Sequence, residues 1–182
     1  MKDAFVIFRY PSAGNKCVIV KQDESTLKKL LSFSELGKAD GFVFAPFRIT
    51  EDTPAVFFDS HIRRLTELDY DKILRVVEDN DNSCVPNEGL KPYNGKLYDR
   101  YSYEEDFNSF KAAIKEKRID KVVLSRSQVL KDDNKKNVIR LFLKACENNP
   151  DSFIVLISSD QTGVWLVATP EVLLERCGNV FH

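Results

Sequence analysis

Apolar positions along the chain fall into short β-prone runs towards both ends, with a helical rhythm between them. Phe5-Val-Ile-Phe8 and Cys17-Val-Ile-Val20 flank Tyr10-Pro-Ser-Ala-Gly-Asn15, whose Pro, Gly and Asn supply turn conformations. The pattern predicts a hairpin. Over 25–36, Leu27, Leu30, Leu31 and Leu36 precede Gly37, which predicts a modest helix with a glycine stop. Phe42-Val-Phe-Ala-Pro-Phe47 is a strand interrupted by proline, as expected at a sheet edge. Ala55-Val-Phe-Phe58 predicts another short strand. Ile62, Leu65, Ile73, Val76 and Val77 recur at helical spacing within 61–79. Asn, Asp, Ser, Pro and Gly then crowd 80–97, the best boundary in the chain, and predict a linker or long surface loop.

Beyond that boundary the signals sharpen. Ser102-Tyr-Glu-Glu105 has the form of a capping box. Tyr103, Phe107, Phe110 and Ile114 fall on one face of the helix that follows, and Lys115, Lys117 and Arg118 suit its negative end. Residues 121–130 are β-prone. Val138, Leu141, Phe142, Ala145 and Cys146 mark a second helix, stopped by Asn149-Pro150. Phe153-Ile-Val-Leu-Ile157 and Val164-Trp-Leu-Val-Ala168 flank Asp160-Gln-Thr-Gly163, a second hairpin. Over 171–176 a short helix opened by Pro170 competes with a strand entering the turn Cys177-Gly-Asn179; the strand is favoured. The sum is an α+β chain with mostly antiparallel sheets and packed helices.

Composition narrows the function classes. Of 182 residues, 43% are hydrophobic and 30% charged, which suits a packed core and a soluble surface. A net charge of −1 offers no basic field, so nucleic acid is not expected as a partner. No apolar run approaches the ~20 residues of a membrane span, and the N-terminus lacks the cleavage site of a secretion signal. Cys17, Cys84, Cys146 and Cys177 show no Cys-x-x-Cys spacing, so the plainer account is a cytoplasmic chain with reduced, mostly buried thiols. His61 and His182 are isolated; Arg63-Arg64 near His61 could bind an anion, and Lys28-Lys29 is a further charge run. A solvated or structural role is the default for each. Taken alone, Lys121 is one of many lysines and Glu171 a surface carboxylate after proline.

The order of motifs changes that. Tyr-x-x-x-Phe-x-x-Phe-Lys-x-x-Ile over 103–114 is followed by Asp120-Lys-Val-Val-Leu-Ser-Arg126, a helix, a hairpin and Ala168-Thr-Pro-Glu171, with Lys121 and Glu171 fifty positions apart. This arrangement resembles the chorismate-utilising enzymes, most closely the isochorismate synthases. It covers about the last 80 residues, and Gly41-Phe-Val-Phe-Ala-Pro-Phe47 adds a weaker match upstream. The resemblance implies the anthranilate synthase component I-like fold. Residues 1–97 would be the amino-terminal β-rich segment, and 98–182 the first half of the chorismate-binding domain. The chain stops at His182 as a strand begins, so an amino-terminal part, inactive alone, is expected.

The resemblance also implies roles. Lys121 would be the general base that activates water to attack C2 of chorismate, and Glu171 the general acid that protonates the departing C4 hydroxyl. Ammonia-adding branches typically carry glutamine where this chain has Lys121; the water-adding branch carries lysine. A free lysine titrates near ~10.4, so such a site must lower that value by burial or nearby positive charge. Mg²⁺ on the substrate carboxylate is the implied cofactor, with ligands beyond position 182 and none in this chain. The product would be isochorismate, for menaquinone or catechol siderophores. A salicylate synthase is the alternative within the family, and a non-catalytic docking module the alternative outside it. An uncovered sheet edge near 164–168 and 172–174 predicts self-association.

Overall fold

The structure is a computed structural model that describes residues 3–35, 40–59, 66–73, 100–126, 138–171, 176–177 and 180–181. The chain divides into two compact units, one of residues 1–90 with 134–182 and one of residues 91–133.

The larger unit is built on a five-stranded sheet of order β6-β2-β1-β7-β8, from β1 (Asp3–Arg9), β2 (Cys17–Asp23), β6 (Thr66–Leu68), β7 (Phe153–Ser159) and β8 (Gly163–Thr169). Every described strand pair is antiparallel, as the α+β expectation requires. Both predicted hairpins form: Val6 faces Val20 in the first, and Leu156 faces Leu166 in the second. The two hairpins meet through β1 and β7, where Val6 lies opposite Ile157 and Ile7 opposite Leu156. One sheet thus joins strands from both sides of position 97.

Burial explains why β1 and β7 read as unbroken apolar runs. Successive side chains of a strand point to opposite faces. Ala4, Val6, Phe8, Val18, Val20, Val155 and Ile157 form one core with Val56 and Phe58 of the second sheet. Phe5, Ile7, Cys17, Ile154 and Leu156 face the other way, onto Ile139, Phe142 and Cys146. Those three belong to α2 (Val138–Asn148), the predicted second helix. A strand covered on both faces has no polar position to alternate with.

The second sheet has three strands of order β3-β5-β4, from β3 (Lys28–Leu30), β4 (Gly41–Phe44) and β5 (Ala55–Asp59). β5 is central and buried throughout, and β4 ends before Pro46 at the edge, as its proline implied. Phe42 stacks on Phe8 at 5.8 Å between ring centroids and meets Phe58 edge-on at 6.2 Å, closing the first core. Buried Gln22 ties β2 to β5 by accepting from the Asp59 N–H at 2.9 Å. Lys28, expected to be merely solvated, pairs with the mostly buried Asp59 carboxylate at 2.9 Å.

The helix expected over 25–36 does not form. Its place is taken by a 3-10 turn at Glu24–Thr26, strand β3 and another 3-10 turn at Phe33–Glu35. Two causes act together. β3 gains a ladder against β5, with Leu30 opposite Ala55. The acidic and hydroxyl side chains also bond locally: Asp23 accepts from the Ser25 N–H, and Glu35 from the N–H groups of Leu31 and Ser32. Such bonds compete with a helix for the same donors. Among the described residues of 61–79, strand β6 occupies 66–68 and 70–73 are helical, with the Asp69 carboxylate accepting from the Lys72 N–H; residues 74–79 lie outside the described residues. Residues 60–65, with His61 and Arg63-Arg64, and the loop of 80–97 lie outside the described residues, as does 172–174. β9 (Arg176–Cys177) and β10 (Val180–Phe181) pair across the predicted turn.

The smaller unit holds α1 (Arg100–Lys115), the helix predicted from its apolar stripe. It begins two residues before Ser102, so that residue sits inside the first turn rather than capping it. The stripe itself stays open: Phe107, Phe110 and Ile114 are exposed, while Ala113 is buried. Of the strand expected at 121–130, the described part, 121–126, does not form. Residues 121–126 carry no regular secondary structure and no strand partner among the described residues, and an unpaired extended segment lacks the ladder that would define it. Residues 127–130 lie outside the description.

Candidate active site

Lys121 owes its position to how α1 ends. Lys117 adopts the left-handed conformation, φ 55°. Its N–H donates to the Ile114 carbonyl at 3.0 Å, and the Arg118 N–H donates to the Ala113 carbonyl at 2.9 Å. This pair of bonds is a Schellman cap, which stops the helix and reverses the chain. Arg118 Nε then pairs with Glu116 Oε2 at 2.7 Å, holding the first residue after the turn. Lys121 follows three residues later, exposed, and begins the irregular 121–126 segment in which Val123 is 82% exposed.

Glu171 is placed by the other unit. β8 is the edge strand of the five-stranded sheet and ends at Thr169. The Thr169 hydroxyl then bridges the following turn: Oγ1 accepts from the Glu171 N–H at 3.3 Å and donates to the Glu171 carbonyl at 3.4 Å. With Pro170 fixing the intervening φ, the backbone of Glu171 is held while its side chain is exposed. Two candidate residues thus stand on turns after regular elements, Lys121 in the 91–133 unit and Glu171 in the larger one. Among the described residues neither side chain has an ion-pair partner, and both are exposed.

No cluster of three His, Cys, Asp or Glu suited to a metal occurs among the described residues. Those residues alone do not assemble a site for Mg²⁺. Among the described residues, no helix is long and apolar enough to cross a membrane.

One group of buried polar and titratable side chains escaped the sequence pattern. Arg9, Cys17, Tyr70 and Cys146 meet in the core beneath α2. Arg9 is 3% exposed and donates from Nη1 to the Cys146 carbonyl at 2.9 Å, and from Nη2 to the carbonyls of Asn149 and Ser152. These carbonyls cluster at the negative end of α2, which suits a cation. Hydrogen bonds from Cys17 and Tyr70, with the Arg9 charge, lower the Cys146 thiol to about 7 against the pull of its burial. Donating to Cys146, together with burial, pushes the Cys17 thiol up. Burial, then the Cys146 charge and hydrogen bond, push Tyr70 up to about 12. No linear motif announces this cluster, because its members come from β1, β2, the helical turn at 70–73 and α2.

Comparison with curated proteins and with solved structures gives no match. The sequence profile of one family, described as chorismate binding enzyme, matches residues 51–182. That match takes in both Lys121 and Glu171 and well over half of the chain, which therefore belongs to the chorismate-binding enzyme family.

Proposed function

We propose that the chain is part of an isochorismate synthase, an isomerase that moves a hydroxyl from C4 to C2 of chorismate. Membership of the family makes chorismate the substrate class; the lysine at position 121 carries the finer reading. Adding water rather than ammonia requires a group that removes a proton from water as it attacks, and the side chain of Lys121 serves once its ammonium has lost a proton. Glutamine, which the resemblance associates with the ammonia-adding branch, has no such basicity.

The chemistry follows from two proton transfers. Lys121 Nζ takes a proton from water as its oxygen bonds to C2. The ring double bonds shift, and the C4–O bond breaks. Glu171, entering as the carboxylic acid, donates its proton to the departing oxygen, which leaves as water. Atoms balance, since one water enters and one leaves. Each positioned proton transfer typically contributes ~10²–10⁴-fold to rate. The Mg²⁺ implied by the resemblance would offset charge on the substrate carboxylate, through ligands other than a cluster of the described residues.

The test is product analysis by chromatography after the full-length protein is incubated with chorismate and Mg²⁺. Isochorismate is expected. Salicylate with pyruvate would move the assignment to the salicylate branch. An aminated product formed from ammonia would overturn the role of Lys121.

A further inference from the structure

The turn that carries Glu171 is tied to the sheet by the side chain of Thr169. Thr169 is the last residue of β8 and lies opposite Phe153 of β7. Phe153 packs against the first core, its ring centroid 5.8 Å from that of Phe8 and 6.0 Å from that of Tyr10. The hydroxyl therefore projects from the last paired rung of an anchored hairpin. A hydroxyl has one proton to give and lone pairs with which to accept. Oγ1 uses both on a single residue, accepting from the Glu171 N–H at 3.3 Å and donating to the Glu171 carbonyl at 3.4 Å. These are the two backbone groups on either side of the Glu171 Cα. Holding both limits its φ and ψ, and with them the direction in which Cβ leaves the chain. Pro170 adds to the restraint, with a locked φ and no N–H to compete for Oγ1. The branched Cβ of threonine restricts χ1, so the hydroxyl is itself held in place.

We propose that Thr169 is a positioning residue for the reaction, its hydroxyl aiming the Glu171 carboxyl at the departing C4 oxygen of chorismate. The inference rests on the reading of Glu171 as the general acid. A proton donor acts only within hydrogen-bond reach of the oxygen it protonates. An exposed glutamate on an unrestrained turn samples many directions, few of them productive. Anchoring its backbone to the sheet narrows that set before substrate arrives, so the ordering is not charged to the chemical step. Thr169 exchanges no proton in this scheme and acts through Glu171 alone. Its removal should therefore slow proton delivery and leave substrate affinity in place.

The full-length protein is assayed with chorismate and Mg²⁺ as Thr169→Val, which keeps the branched shape and loses the hydroxyl. Its kcat should fall about 10–100-fold, with KM within about threefold of wild type. Thr169→Ser restores the hydroxyl on a freer χ1 and should stay within about threefold of the wild-type kcat. In the Glu171→Gln background, Thr169→Val should change the rate by less than about twofold, since no acid remains to be aimed. A Thr169→Val enzyme with more than about half the wild-type kcat would overturn the proposal. So would an equal loss in the Glu171→Gln background, which would mark the hydroxyl as structural only. Should Thr169→Val not fold, Thr169→Ser and Thr169→Ala still differ by the hydroxyl alone. A kcat at least about tenfold lower with alanine supports the proposal, and equal values overturn it. A Glu171→Gln enzyme of near wild-type rate would remove the acid reading itself, and this inference with it.

Discussion

At the scale of single residues, two kinds of acid–base group carry the predictions. Lys121→Gln should leave the full-length enzyme folded but cut isochorismate formation about 100-fold or more, since glutamine cannot take water's proton. Glu171→Gln should be similarly damaging for want of a proton donor. Steady-state rates with circular dichroism check both, and more than a tenth of the wild-type rate in either would remove that residue from the mechanism. The thiol cluster makes a separate prediction about stability. Cys146, ordinarily near 9.0, is lowered to about 7 by the hydrogen bonds of Cys17 and Tyr70 and the charge of Arg9, with Glu147 opposing. Its contribution is therefore fully present above about 9 and lost as pH falls through about 7. Cys17 and Tyr70 have the opposite sign. They are held protonated in the fold, so their contribution is present below their ordinary values of 9.0 and 10.0 and declines at higher pH. The Tm should climb from pH 7 to about 9 and fall beyond it; a steady fall from pH 7 would exclude a folded-state thiolate.

Elements are held by close approach and by caps. Gly41 starts β4 where a Cβ would run into the Phe58 carbonyl oxygen and the Phe57 ring, so the strand can lie against β5 only without a side chain there. Gly41→Ala should cost about 1–3 kcal/mol, read as a lower midpoint in urea unfolding. Lys117 is the converse case, a side chain where glycine would fit better, because its φ of 55° is disfavoured for any residue with a Cβ. Lys117→Gly should stabilise the end of α1 by about 1 kcal/mol. Slower amide exchange over the last turn of α1 is the readout; faster exchange would show that the lysine side chain contributes more than its backbone strain costs.

For the molecule as a whole, the open edge at β8 matters most. Trp165, Leu166 and Val167 are 50%, 41% and 36% exposed on a strand whose outer edge has no neighbouring strand among the described residues. A hydrophobic edge of this kind templates pairing with a further strand. The chain should therefore self-associate as concentration rises, and Leu166→Lys should shift it towards monomer in sedimentation equilibrium. A wild-type chain that stays monomeric throughout would rule this edge out as a contact.

How far these features were legible beforehand differs by feature. The hairpins, β5, α1 and α2 were written locally, because apolar period and turn residues specify an element before it meets a partner. Lys121 and Glu171 were legible as motif members, since a short segment can keep its residues whatever its conformation. The strand expected for 121–130 and the helix for 25–36 were not decided locally. The first lacks a pairing partner among the described residues, and the second yields to a ladder with β5. That β1 should lie beside β7 could not be read from either run, as 5–8 and 153–157 are apolar on every position and register follows from pairing. The same holds for Arg9, Cys17, Tyr70 and Cys146. Sequence alone determined that these are a cation, two thiols and a phenol; tertiary structure decided that they share one buried site, where low polarity makes each charge depend on the others.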